Sequence, residues 1–115
     1  MNLKELFLKI GINLEVRNFV VGYRQKNGRS ANQVRQMIAN GVKCADAEIV
    51  AEIKKTLPEG SRVCGIFEVY GNMELKELQR LAGSPELLNY KVAPIYLDEE
   101  LATEYVREIL NGDFS

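Results

Sequence analysis

The feature that most constrains the fold of this chain is the turn signal NGRS, residues 27–30, which separates two segments with regularly spaced apolar residues. The segment before it, residues 14–26, has apolar side chains at helical spacing: Val16, Phe19, Val20 and Tyr23. In the segment after it, Ser30 and Gln33 form a capping box at the start of a second predicted helix, residues 31–40. The sequence therefore predicts two helices joined by a short turn, as in a helix-turn-helix.

The rest of the first half is also predicted to be helical. Residues 47–57 have apolar residues on one helical face: Ile49, Val50, Ile53 and Leu57. The first residues allow two interpretations, a helix through Ile10 or a strand over residues 8–14, where apolar residues alternate with others. We favour the helix. Gly22 indicates close packing against a neighbour, since a glycine inside a helix is unfavourable by about 1 kcal/mol relative to alanine.

The second half has a different pattern, which predicts strands as well as helices. The segment RVCGIFEVY, residues 62–70, is rich in β-branched and aromatic residues and predicts a buried strand. A helix is predicted after Asn72, and a second strand over residues 91–97, which Pro94 confines to a sheet edge. The last helix follows Asp98. The predicted fold is therefore α+β: a mostly helical N-terminal half followed by a small strand–helix–strand–helix unit, in one compact domain.

Charge divides this predicted single domain, residues 1–115, into two halves. Lys and Arg outnumber Asp and Glu in the basic helical half, residues 1–58, and the reverse holds in the acidic α/β half, residues 59–115. Between Glu15 and Asp46 there is no acidic residue at all. Such a stretch is the electrostatic footprint expected of a phosphate-binding surface. The alternative is that the basic half packs against the acidic half, in the same chain or in a partner subunit.

The acid-free window also contains side chains suited to reading DNA. A helix over residues 31–40 in a major groove would present amides that match adenine edges and an arginine that matches guanine. The basic residues around it would position the protein on phosphates without specifying sequence. The predicted nucleic-acid-binding residues are Arg17, Arg24, Lys26, Arg29, Asn32, Gln33, Arg35, Gln36 and Lys43.

The segment NGRSAN, residues 27–32, resembles the loop between the two helices of ribbon-helix-helix repressors. The apolar stripe upstream and the alternating LKIGINL are also similar to that family's helix and strand, so that the resemblance covers residues 8–40. It implies a dimer whose paired strands lie in the major groove of DNA. Alternation would turn Phe7, Lys9 and Gly11 toward the DNA, and of these only Lys9 suits that contact.

Composition excludes several classes of site. The chain of 115 residues has no His, which excludes Ser-His and Cys-His nucleophile pairs. Its two cysteines, Cys44 and Cys64, lack CxxC spacing and are expected to be reduced. No catalytic residue, cofactor or metal site is predicted. No apolar run approaches the roughly 20 residues of a membrane helix, and the first ten residues are interrupted by charges. We therefore predict a cytoplasmic protein without membrane contact.

Two functions of different classes follow. The first is a small non-catalytic DNA-binding regulator of transcription with a helix-turn-helix-like basic half. The second is a non-enzymatic protein-interaction module, an inhibitor or adaptor, whose acidic C-terminal half binds a basic partner through Glu99, Glu100, Glu104 and Glu108. Because a sheet of two strands is marginal by itself, a homodimer is a further expectation.

Overall fold

The computed structural model describes residues 3–9, 16–38 and 45–111. In chain order their elements are α1 (Leu3–Lys9), β1 (Val16–Arg24), β2 (Ser30–Ile38), α2 (Asp46–Thr56), β3 (Arg62–Val69), α3 (Leu75–Leu81), a 3₁₀ helix (Pro85–Asn89), β4 (Val92–Leu97) and α4 (Ala102–Leu110). The four strands form one antiparallel sheet in the order β2-β1-β3-β4. The fold is therefore built on a sheet whose first hairpin lies in the N-terminal half.

The predicted helical N-terminal half is wrong, because residues 14–26 and 31–40 supply β1 and β2 and not two helices. β1 lies inside the sheet and is buried on both faces, so that Phe19, Val20 and Val21 are all inaccessible to solvent. A strand of this kind reads as a continuous apolar run, which also contains residues three and four apart. The apolar spacing was therefore compatible with a helix, although the element is a strand.

The NGRS turn closes a β-hairpin and does not join two helices. The N–H of Gln25 donates to the carbonyl of Arg29 (2.8 Å), and the N–H of Gly28 donates to the carbonyl of Gln25 (2.9 Å). Gly28 has φ 86°, in the left-handed region that this three-residue hairpin loop requires. The helix-turn-helix is thereby excluded, and so is the helix that the ribbon-helix-helix resemblance places at Val16–Tyr23.

The other elements agree with the sequence in type and nearly in position. The helix predicted at residues 47–57 is α2, the buried strand at 62–70 is β3, and the last helix is α4. β4 is an edge strand containing Pro94, as predicted. The strand interpretation of residues 8–14 is wrong for its first two residues, which belong to α1; residues 10–14 lie outside the described ranges.

Helices cover both faces of the sheet. On one face, here called the α2 face, Ile49 and Ile53 of α2 pack on side chains of the two inner strands, β1 and β3: Phe19, Val21, Tyr23, Val63 and Ile66. The opposite face, here called the α4 face, carries α3, the 3₁₀ helix and α4 over a second set: Val20, Cys64, Phe67 and Val69. The sheet thus supplies a core on each side. Since it has four strands, the marginal two-stranded sheet that suggested a homodimer is absent from the described residues.

Gly22 lies directly against Tyr105 of α4. A Cβ at this position would lie 2.3 Å from Cζ of Tyr105, whose side chain is fully buried. The close packing predicted for Gly22 is therefore confirmed, although the residue lies in a strand. Cys64 is buried and reduced in the same cluster, as expected, whereas Cys44 lies outside the described residues. No helix within the described ranges is long and apolar enough to cross a bilayer.

Candidate functional site

The hairpin distributes the predicted nucleic-acid-binding residues over two sheet faces and one turn. Arg17, Gln33 and Arg35 lie on the α2 face, where Arg17 contacts Asp46 and Arg35 contacts Thr56. Arg24, Asn32 and Gln36 lie on the α4 face. Lys26 and Arg29 are exposed beside the turn, and Lys43 lies outside the described ranges. These residues therefore do not share the single helix surface that the sequence predicted.

Arg17 is occupied by acidic residues of the same chain. Its guanidinium donates from Nε and Nη2 to the two carboxylate oxygens of Glu68 (2.8 and 2.7 Å), and from Nη2 to Asp46 (3.0 Å). The hydrogen bonds to Glu68 contribute most to raising the pKa of Arg17 above its ordinary value. Glu68 is buried on β3, so the pair links β1, β3 and the start of α2. A phosphate would have to displace two carboxylates to reach Arg17.

Arg24 is also paired with carboxylates, here from α4. Its Nη2 lies 3.1 Å from Glu104 and 3.6 Å from Glu108. Glu100 and Asp98 in turn lie 3.9 and 3.8 Å from Arg62. Three of the residues expected to form an acidic protein-binding surface are therefore engaged within the chain. The contact of Arg24 with α4 is an instance of the packing of the basic against the acidic half that the sequence left open.

The amides of the hairpin connect elements of the fold. The Gln36 side chain donates to Asn18 Oδ1 and to the carbonyl of Met73, both at 2.9 Å. Asn18 donates to the carbonyl of Gly71 (2.9 Å), so that this network joins the hairpin to the segment before α3. Gln33 donates to the hydroxyl of Tyr23 at 3.5 Å. Of the predicted adenine-reading residues, Gln33 and Gln36 are thus held in contacts within the protein.

The outer side of β2 is the feature that the sequence did not reveal. β2 is at one edge of the sheet, and in the described part of the chain no strand lies beyond it. In an antiparallel pair, residues alternately direct both backbone groups toward the partner and away from it. The bond between Gln25 and Arg29 fixes this alternation along the hairpin. The residues that direct N–H and C=O away from β1 are therefore Ser30, Asn32, Val34 and Gln36.

Apart from the charged side chain of Arg35, the β2 edge lacks the charges, prolines and bulges that usually prevent a strand from pairing further. It is nine residues long, contains no Pro, Lys or acidic residue, and keeps an unbroken register with β1. The opposite edge is different: β4 has six residues, contains Pro94, and shows a register shift against β3. Because proline and register shifts block strand addition, the two edges of the sheet differ in their capacity to pair.

A groove runs between β2 and α3. It is lined by Asn32, Gln33, Val34 and Arg35 on one side and by Gln79 and Ala82 on the other. Of these residues, Val34 and Ala82 are apolar and pack partly against the core of this face. A side chain entering the groove would therefore meet apolar groups as well as amides. An extended chain along β2 could therefore place alternate side chains in this groove.

Arg35 lies on the β2 edge and lines the same groove. Its Nη2 donates to Thr56 Oγ1 (2.8 Å), and its Nη1 donates to the carbonyl of Val34 (3.3 Å). That carbonyl is one of the outward acceptors of β2, which agrees with the alternation derived from the turn. Within the described residues the partners of Arg35 are neutral, in contrast to those of Arg17 and Arg24.

The described residues contain no cluster of three or more acidic, Cys or His side chains placed to hold a metal. Burial raises the pKa of the Cys64 thiol, and it also raises the pKa of the Tyr105 hydroxyl. Both groups are therefore held protonated inside the α4 face, where they pack against the sheet. Neither stands in the groove beside β2.

Comparison with protein families, with curated proteins and with solved structures found no match for this chain.

Proposed function

We propose that this chain is a non-catalytic protein-interaction module that binds an extended segment of a partner protein as an additional strand beside β2. The observation that carries the proposal is the long and regular β2 edge, with its row of outward N–H and C=O groups at Ser30, Asn32, Val34 and Gln36. Main-chain hydrogen bonds would supply affinity, and the groove against α3 would select side chains.

A protein-interaction module is the second function expected from the sequence, and the proposal keeps that class but replaces the acidic C-terminal surface with the β2 edge. Of the acids expected to bind a basic partner, Glu104 and Glu108 are engaged by Arg24 and Glu100 by Arg62, which leaves them less suited to that role. The β2 edge offers outward backbone groups beside a groove, and among the described residues one of these groups, the Val34 carbonyl, is covered only by the Arg35 side chain. A cytoplasmic location, expected from the charged first residues, is part of the proposal.

The test is a selection of random nine-residue peptides displayed on phage, followed by fluorescence polarisation with the selected peptides. Asn32→Pro removes an outward N–H while the bonds of β2 to β1 are kept, because proline is tolerated where the N–H faces away from the sheet. We expect Asn32→Pro to bind at least roughly tenfold more weakly, since a ladder hydrogen bond is lost and the ring obstructs the partner.

Asn32→Ala is the matched control, because it removes the same side chain and keeps the N–H. It should bind selected peptides within about twofold of the wild type, as expected when no ladder hydrogen bond is lost. Circular dichroism should show that both variants are folded. Failure to select any peptide, or equal binding to Asn32→Pro and the wild type, would show that β2 is not the binding edge.

A further inference from the structure

The guanidinium of Arg35 covers an acceptor that an added strand needs. Its Nη1 donates to the Val34 carbonyl (3.3 Å), which points away from β1. A partner N–H that pairs with this carbonyl would take over the acceptor from Arg35. The positive charge would keep only the bond to Thr56 Oγ1 (2.8 Å). Strand addition at β2 therefore leaves a cationic donor without one of its two acceptors.

The position of Arg35 places that charge next to the added strand. The backbone groups of Arg35 point toward β1, where the residue is opposite Phe19. In an antiparallel partner, the residue opposite Arg35 is therefore in a pair without mutual hydrogen bonds, the arrangement in which side chains are closest. That residue faces the α2 side of the sheet, together with Arg35 and Thr56. Its side chain is the first group that the freed guanidinium can reach.

We infer that the partner of this edge is an extended segment carrying an Asp or Glu opposite Arg35, and that Arg35 determines this specificity. The inference rests on the proposed function and names the class of segment that the same edge selects. A carboxylate replaces the acceptor lost at Val34 and provides two charge-assisted hydrogen bonds to a planar guanidinium. The cations of the neighbouring strand β1, Arg17 and Arg24, already hold two carboxylates each and do not compete for it.

The experiment repeats the random nine-residue peptide selection on the wild type, on Arg35→Gln and on Arg35→Glu. We expect the wild type to enrich Asp or Glu at one fixed position, Arg35→Gln to lose this preference, and Arg35→Glu to enrich Lys or Arg there. In fluorescence polarisation, changing that acid to its amide should weaken binding to the wild type by roughly fivefold, the upper range for a cross-strand charge pair. The same change should leave binding to Arg35→Gln unaltered.

The outcomes separate the inference from the function on which it rests. Peptides that require the Asn32 N–H but show no acidic preference would overturn the role of Arg35 and leave strand addition standing. An acidic preference that persists in Arg35→Glu would assign the selectivity to another cation, and would also overturn it. Selection of no peptide by any of the three proteins would overturn both. Arg35→Gln keeps a donor for Thr56, so it serves as the second variant in the event that Arg35→Glu fails to fold.

Discussion

At the scale of the residue, Gly22 and Arg17 each lie against a partner from a distant part of the chain, the Tyr105 ring and the Glu68 carboxylate. Gly22 stood out because a glycine inside a patterned segment requires a reason, and that reason is the Tyr105 ring. Arg17 stood out as a cation in an acid-free window, yet its main partner is Glu68, 51 positions further along the chain. Nothing local in the sequence shows a contact of that separation. The ion-pair partners of such residues can therefore be assigned only after the strands have been placed.

Gly22→Ala should destabilise the protein by about 1–3 kcal/mol, the usual effect of adding a methyl group to a filled core. The new Cβ would lie 2.3 Å from Cζ of Tyr105, so that the ring or the strand must shift. The measurement is urea unfolding followed by circular dichroism. In a Tyr105→Leu background the ring is absent, and Gly22→Ala should lose most of its effect. If the effects of the two substitutions on the free energy of unfolding are strictly additive, contact with the Tyr105 ring is not the reason that position 22 requires glycine.

At the scale of the element, the sequence predicted a helix or strand correctly where the segment had only one possible interpretation. β4 was placed at an edge because Pro94 allows little else, and β3 was recognised from its dense β-branched and aromatic residues. β1 is a central strand whose apolar residues also fit a helical stripe, and NGRS suits a hairpin as well as an interhelical turn. The choice between them is made by tertiary pairing with β3, which overrides local pattern.

The second strand of the hairpin shows why the candidate site was not predictable. Its residues alternate between two half-buried faces, with amides on both, and the pattern carries no strong period of its own. The sequence did contain one usable signal, the absence of Pro, Lys and acids from residues 30–38. That signal indicates an edge open to pairing only when the segment is known to be a strand. On a predicted helix, the absence of acids, which extends from Glu15 to Asp46, instead indicates a phosphate-binding surface.

At the scale of the whole molecule, internal ion pairs reduce the charge available to nucleic acid. In the acid-free window, the basic residues of the described ranges without a carboxylate partner are Lys26, Arg29 and Arg35. These three residues and Lys43, which lies outside the described ranges, could each contact one phosphate. In fluorescence anisotropy with a random DNA duplex, we therefore expect the slope of log affinity against log salt to be no steeper than about −4, since each phosphate contact contributes about −0.9. The double variant Lys26→Glu/Arg29→Glu should make the slope of log affinity against log salt shallower still.

A steeper dependence, near −5, would mean that Arg17 and Arg24 leave their carboxylates to contact phosphates. The basic window would then act as the sequence suggested, although on a hairpin and not on a helix. A shallow slope would leave these arginines in the role that their distances indicate, which is to connect the hairpin to α2, β3 and α4.

The measurement that bears most directly on the β2 edge is amide hydrogen exchange by NMR on the free protein. We predict slow exchange at Ala31, Gln33 and Arg35, whose N–H groups face β1, and fast exchange at Asn32, Val34 and Gln36, whose N–H groups face outward. Uniform slow exchange over these residues would mean that the outer edge is already paired in solution. Uniform fast exchange would mean that the hairpin itself is not formed, and either result would contradict an open edge awaiting a partner strand.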